Sequence, residues 1–202
     1  MQPKKIRAAL FVSGGGSNLQ AILDACQNTL KNQMEVVWVI SNCANAFGLE
    51  RARRHNIEAT FLDPKTYPSR QTYYEDIVRQ LKTKQIDLIC LAGFLLKLEP
   101  NIIQSYRNRI LNIHPALLPK FGGKGMYGHF VHEAVLRAQE TESGCTVHLV
   151  DEEFDRGETI LQRKVPVLPN DTPATLAERV LKQEHLLYPQ AIQLWIQRYA
   201  SA

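Results

Sequence analysis

Long uninterrupted apolar runs are missing from this sequence, and with them the means to cross a bilayer as a helix. The opening Met1-Gln2-Pro3-Lys4-Lys5-Ile6-Arg7 carries no signal-peptide cleavage pattern and runs straight into a strand-like segment. A cytoplasmic protein with no membrane partner is the expectation. Cysteine is sparse. Cys26, Cys43, Cys90 and Cys145 are scattered without a C-x-x-C pair, which argues against a disulfide framework or a thiolate metal site. Three of the four sit among apolar or small neighbours, the setting of a reduced thiol packed as a small hydrophobe. Charge is not concentrated either. A formal +4 comes from 24 Lys and Arg dispersed among 20 Asp and Glu. No basic block points to nucleic acid, and a basic cleft for a small anion accounts for the balance equally well. Repeats, low-complexity tracts and linkers are also missing, and 202 residues suffice for one sizeable core. One domain spanning 1–202 is expected.

What is present is an alternation of short apolar runs with amphipathic stretches. It predicts strands at 6–12, 36–40, 59–62, 87–91 and 110–113, and helices at 19–26, 47–55, 70–84 and 100–106. The 70–84 helix gathers Tyr74, Ile77, Val78 and Leu81 on one face. Apolar strands joined by helices imply a parallel sheet covered on both faces. The second half changes character: 146–150 alternates apolar and polar residues, 159–167 is another strand-like run, and the two read as antiparallel neighbours. Asp171-Thr172-Pro173 opens a long helix, with Thr172 or Asp171 as its cap. The expected class is α/β: a Rossmann-like open sheet, parallel in its N-terminal part, with antiparallel C-terminal strands.

Three places carry chemistry. Ser13-Gly14-Gly15-Gly16-Ser17-Asn18 follows the first strand and precedes a helix, where close-approaching backbone amides and the helix terminus favour a phosphate. No Gly-Lys-Ser/Thr follows, and the full G-x-G-x-x-G is not there. A tight strand-to-helix turn needing glycine only for geometry competes evenly; the donor side chains of Ser17 and Asn18 favour the phosphate. Asn112 and His114 lie two apart at the carboxyl end of a strand, on one face, where open α/β sheets bind ligands. Asn can donate to a carbonyl oxygen and His can move a proton, although the spacing alone slightly favours a capping Asn and a structural His beside a loop proline. Asp155 sits in an acidic turn, and such turns are ordinarily just solvated. His129 and His132 have helical spacing but no third ligand; a partly exposed helix face, not a metal, is expected.

Read in order, several segments resemble the folate-dependent phosphoribosylglycinamide formyltransferases. These are 13–22, Ser41-Asn42, 46–52, Leu91-Ala92-Gly93-Phe94, 111–119 and 144–148, with Asp155-Arg156-Gly157 after them; the likeness runs from Lys5 to the final helix. It implies the formyltransferase fold, with a phosphate-binding half at about 1–100 and a folate and catalytic half at about 101–202. The implied reaction passes the formyl group of 10-formyltetrahydrofolate, as co-substrate, to the amine of 5-phosphoribosylglycinamide in purine synthesis. Asn112, His114 and Asp155 match the family's catalytic trio, and Gly16, Ser17 and Asn18 match its phosphate cradle. Glu184 matches a carboxylate facing the glycinamide. Arg70 and two segments match the folate site: Leu95, Leu96, Lys97 and Leu98, then Asp151, Glu152, Glu153, Phe154 and Asp155, with Asn112 shared between roles. The partners implied are small molecules, in a monomer or homodimer.

The scheme this implies has Asn112 and a protonated His114 stabilising a tetrahedral oxyanion, with Asp155 raising the His114 pKa. Two features depart from the family's commoner pattern. The segment 121–128 is longer and glycine-rich, a candidate closing loop, and no site residue is assigned between Lys120 and His132. Leu96 stands where some members carry a basic residue. Competing functions are transfer to a charged tRNA or amino sugar, whose enzymes usually carry a further domain, and a hydrolase releasing formate. A nucleotide-dependent oxidoreductase and a non-catalytic binding module complete the set.

Overall fold

The computed structural model describes residues 4–199. Seven strands form one sheet in the order β3-β2-β1-β4-β5-β6-β7. They are β1 (Ile6–Val12), β2 (Met34–Ser41), β3 (Glu58–Phe61), β4 (Leu88–Leu91), β5 (Ile110–His114), β6 (Glu142–Leu149) and β7 (Thr159–Pro166). The first five are joined in parallel, while β5–β6 and β6–β7 are antiparallel. The mixed architecture read from the sequence is therefore present. Among the described residues no helix is long and apolar enough to cross a membrane.

Alternation in β1 explains why helices cover both faces. Ala8, Leu10 and Val12 enter one core with α1 (Ser17–Gln27) and α6 (Pro173–Tyr199). Ala9 and Phe11 enter the other, where Tyr73, Tyr74, Ile77, Val78 and Leu81 of α3 (Arg70–Thr83) pack with Ile102 and Ile103 of α4 (Pro100–Ser105). A strand buried on both sides has no room for polar side chains, hence its continuous apolar run. The remaining helices are α2 (Phe47–Arg54) and α5 (His129–Arg137). Tyr188 of α6 reaches under the sheet, its hydroxyl 3.0 Å from the carbonyls of both Leu91 and Leu111. That contact ties the last helix to the two strands beneath the site.

Chain order positions the site. After β3 the chain crosses back to place β4 on the other side of β1, so the connections after β1 and β4 diverge at one end of the sheet. A crevice at such a switch point is the usual ligand position in an open α/β sheet. Here the two connections are also stitched together: Ser13 N–H donates to the Gly93 carbonyl at 3.0 Å, and Leu95 N–H to Ser13 Oγ at 2.9 Å.

Some boundaries differ from expectation. β6 starts at Glu142, four residues before the expected 146, because the turn-like Ser143-Gly144 pairs with Val165 and Lys164 of β7. Gly144 is required there: a Cβ would run into the Arg163 carbonyl and lie 2.7 Å from Leu117 Cδ2. At the start of α6 Thr172, of the two expected capping residues, is the one that caps. Thr172 Oγ1 accepts from Thr175 N–H at 3.2 Å, while Asp171 pairs with Arg179. His132 is a correction. It does not occupy a partly exposed face but is buried, because the side of α5 that carries Val131, His132 and Val135 turns inward, while His129 stays exposed.

Candidate active site

The crevice is a cleft of about 720 Å³ running from Asn18 and Glu184 to the 94–98 and 150–155 segments. Strand β5 supplies Asn112 and His114 from its carboxyl end. Asp155 comes from the β6–β7 turn, where it adopts a left-handed backbone (φ 56°) that Asp tolerates better than most residues. The turn is held tight by Gly157, where a Cβ would strike the Leu149 carbonyl. Asp155 Oδ2 lies 3.6 Å from His114 Nδ1 and accepts from Gly123 N–H at 2.9 Å. The three residues that looked weak separately meet in one place.

Burial dominates the electrostatics. The His114 ring is 4% exposed, and burial pulls its pKa below the ordinary value; Asp155 and the Phe121 carbonyl push the other way but do not prevail. The expected raising by Asp155 is thus real as a contribution and reversed in the net. In the free protein at neutral pH the ring is neutral. Its Nε2 lies 2.8 Å from the Phe121 carbonyl, which can only accept, so Nε2 carries the hydrogen and Nδ1 the lone pair. For Asp155, burial raises the carboxyl, but His148, His114 and the Gly123 N–H outweigh it and the group stays ionised. An NMR titration should therefore place the His114 midpoint below about 6.5, and lower still in Asp155→Asn, which removes an opposing charge. A rise in that variant would contradict the balance described.

The glycine loop divides its labour. Gly16 has φ 69° and would bring a Cβ within 2.7 Å of Gly48 Cα, so geometry alone demands glycine there. At Gly14 and Gly15 a Cβ would meet nothing within 4 Å, leaving space for a ligand to approach the backbone. Helix α1 begins with no side-chain cap on its free N–H groups. Arg51 adds positive charge beside it, donating to the Gly15 carbonyl at 2.8 Å. Ser17 lines a small depression with Gln20, Arg51 and His185 on the flank of α1. Asn18 instead faces the main cleft, where its Nδ2 donates to Glu184 Oε2 at 2.6 Å. Burial raises the Glu184 carboxyl and the Asn18 hydrogen bond opposes that rise.

At the far end, Leu95, Leu96, Lys97 and Leu98 form one lip, and Asp151, Glu152, Glu153 and Phe154 the other. Lys97 Nζ sits 4.9 Å from the Phe154 ring centroid, closing the lips over an apolar wall of Phe94, Leu98, Ile103 and Val150. Arg70 does not line this cleft. It stands behind the first lip, hydrogen-bonded to the Lys97 carbonyl and 3.3 Å from Glu99 Oε1. Burial keeps three of the thiols protonated, pushing Cys26 up to about 11 and Cys145 up to about 12 and raising Cys90 as well. Among the described residues no group of three or more His, Cys, Asp or Glu could hold a metal ion.

Sequence reasoning missed two parts of the cleft. One is the unassigned loop, from which Gly123, Gly125, Met126, Tyr127 and Gly128 all line it, together with His129 and His132 of α5. The other is His148, 2% exposed and directly opposite Asn112 in the β5–β6 register. The alternation Thr146, His148 along an antiparallel neighbour of 110–114 is the signal that could have found it.

Comparison with known proteins agrees with this geometry. Residues 6–192 match the family described as formyl transferase. A trifunctional purine biosynthetic protein adenosine-3 from Drosophila pseudoobscura is 45% identical over 194 residues, 96% of this chain and 14% of that one. The chain thus spans about a seventh of that relative's length. The phosphoribosylglycinamide formyltransferase of Escherichia coli is 41% identical over 184 residues, covering 91% of this chain and 84% of the relative. Among solved structures, glycinamide ribonucleotide transformylase 1 from Symbiobacterium toebii superposes with a TM-score of 0.89 at 42% identity, over 96% and 88% of the two chains. With its family match, its parallel-then-antiparallel sheet and a cleft at the switch point, this chain belongs to the formyl transferase family.

Proposed function

We propose that the protein transfers the formyl group of 10-formyltetrahydrofolate to the amine of 5-phosphoribosylglycinamide, giving the N-formyl product and tetrahydrofolate in purine synthesis. The observation that carries this reading is one cleft holding Asn112, His114 and Asp155 between Asn18 and Glu184 at one end, where the glycine loop joins α1, and an apolar slot at the other. The phosphate rests on the backbone of Gly16, Ser17 and Asn18, where the uncapped start of α1 and Arg51 supply positive potential. Glu184 receives the glycinamide side of the substrate. The folate, a co-substrate, lies between the 95–98 and 151–155 lips, with Arg70 supporting the first lip from behind. A single domain carries both ends of the reaction, acting in the cytoplasm as a monomer or homodimer without nucleic acid or membrane.

The amine attacks the formyl carbon, and the carbonyl oxygen becomes an oxyanion. Asn112 donates to it from a position fixed at the end of β5. His114, neutral beforehand, takes up the proton shed by the amine, and the nearby Asp155 carboxylate compensates the charge so created. As the oxyanion collapses to the new carbonyl, the bond from the formyl carbon to the folate nitrogen breaks, and that nitrogen leaves with the proton returned by His114, directly or through a water.

Asn18→Ala removes the only donor seen on Glu184 among the described residues. A hydrogen bond to a charged group contributes about 1.5–3 kcal/mol. The KM for the phosphorylated amine should rise about tenfold or more, with a smaller change in kcat; an unchanged KM counts against the substrate role of this end. The function itself is tested by supplying 10-formyltetrahydrofolate with each acceptor in turn and following folate release. Release is expected with 5-phosphoribosylglycinamide. Equal release with a charged tRNA, an amino sugar or water alone would replace the reading, and none with any acceptor would leave a binding module.

A further inference from the structure

We propose that His148 is a positioning residue that fixes the orientation of the Asn112 carboxamide, an inference resting on the reading of this cleft as a formyl-transfer site. The ring is walled in by three groups. Its Nδ1 is 2.8 Å from the Leu149 carbonyl, and its Nε2 is 3.1 Å from Asn112 Nδ2 and 3.5 Å from Asp155 Oδ1. A carbonyl oxygen only accepts, so Nδ1 carries the hydrogen. Of the two contacts at Nε2 the Asn112 amide nitrogen is the nearer, 3.1 Å against 3.5 Å, and a nitrogen donor there calls for a lone pair on Nε2. That lone pair needs a donor, and Asn112 supplies one from Nδ2.

The tautomer therefore selects between the two ways an Asn amide can face. With Nδ2 towards His148, one N–H is spent on the ring and the other remains for an oxyanion in the cleft. With the amide reversed, Oδ1 would oppose the Nε2 lone pair. The carboxylate competes for the same nitrogen only when the ring is protonated: Asp155 Oδ1 would then accept from Nε2, and Asn112 would lose its acceptor. The Leu149 carbonyl, the ring and the carboxamide thus form a short relay from the β6 backbone to the reacting group. The β5–β6 register, which sets Asn112 opposite His148, holds it in place.

Two substitutions separate the ends of this relay. His148→Asn keeps an amide donor near the Nδ1 position and loses the acceptor for Asn112. His148→Gln keeps a terminal acceptor near the Nε2 position and loses the donor to Leu149. Misplacing a preorganised group by about 1 Å can cost up to about 100-fold. The full chain is assayed for formyl transfer with both substrates. For His148→Asn kcat is expected to fall about tenfold or more, with each KM held within about twofold. His148→Gln should recover most of that loss. In an Asn112→Ala background His148→Asn should add less than about twofold, since nothing remains to orient. A second measurement needs neither activity nor a variant: imidazole ¹⁵N shifts of the native protein should report the Nδ1–H tautomer at His148. Equal losses in both variants, an undiminished His148→Asn effect in the Asn112→Ala background, or an Nε2–H tautomer would each overturn the proposal. Absence of formyl transfer by the wild type defeats the functional reading instead, and the ¹⁵N spectrum still decides the pairing.

Discussion

Replacing His114 by Ala, or Asp155 by Asn, is expected to lower kcat by about 10²–10⁴ while the protein remains folded. In the proposed mechanism His114 carries the proton in transit, and Asp155, 3.6 Å away, stabilises the ring once charged. The fold should survive both changes. Losing the His114 ring leaves the Phe121 carbonyl without its donor, a cost of about 1–3 kcal/mol against a typical stability of about 5–15 kcal/mol. Asp155→Asn preserves an oxygen for the Gly123 N–H and removes only the charge. The double variant should lose little more than the worse single one, because the two act as a unit. Steady-state kinetics beside thermal melts check this; near-native turnover in both folded variants would remove the pair from the mechanism.

Asn112→Ala is expected to cost about 10²–10³ in kcat, the loss seen when one oxyanion donor is deleted. Its KM values should move little, because the interaction strengthens as charge develops. Asn112→Asp should be worse than Ala, since a carboxylate would face the oxyanion. The side chain is half-buried at the strand end, and its loss strips His148 Nε2 of its donor. Some stability therefore goes with it, and a chemical-denaturation curve separates that effect from the chemistry. A variant whose kcat stays within a fewfold of wild type would mean that another donor holds the oxyanion.

Much of the fold is legible because the physics is local. β1 and β4 are buried on both faces and so read as unbroken apolar runs, and the glycine loop marks the β1–α1 turn. The start of β6 was hidden because Ser143 and Gly144 look like a turn until β7 supplies their partners. The site divides the same way. Asn112 and His114 share a strand, so period-two alternation puts them together. Asp155 was visible only through the family resemblance, since its approach to His114 depends on a turn 41 residues away in sequence. His132 was misplaced because spacing says which residues share a face and not which face packs inward. The net fall of the His114 pKa could not be read either, because burial is a property of the assembled cleft. The two halves of the chain also meet across the cleft: Asn18 from the first bonds Glu184 from the second, and the 95–98 lip faces the 151–154 lip.

The most direct measurement is a ¹³C NMR experiment with 10-formyltetrahydrofolate labelled at the formyl carbon and unlabelled 5-phosphoribosylglycinamide. The proposed activity predicts that the label moves to an N-formyl amide on the glycinamide, only when enzyme and amine are both present, and that His114→Ala slows its appearance. Label recovered as free formate, or left on the folate with wild-type enzyme and amine present, would contradict it.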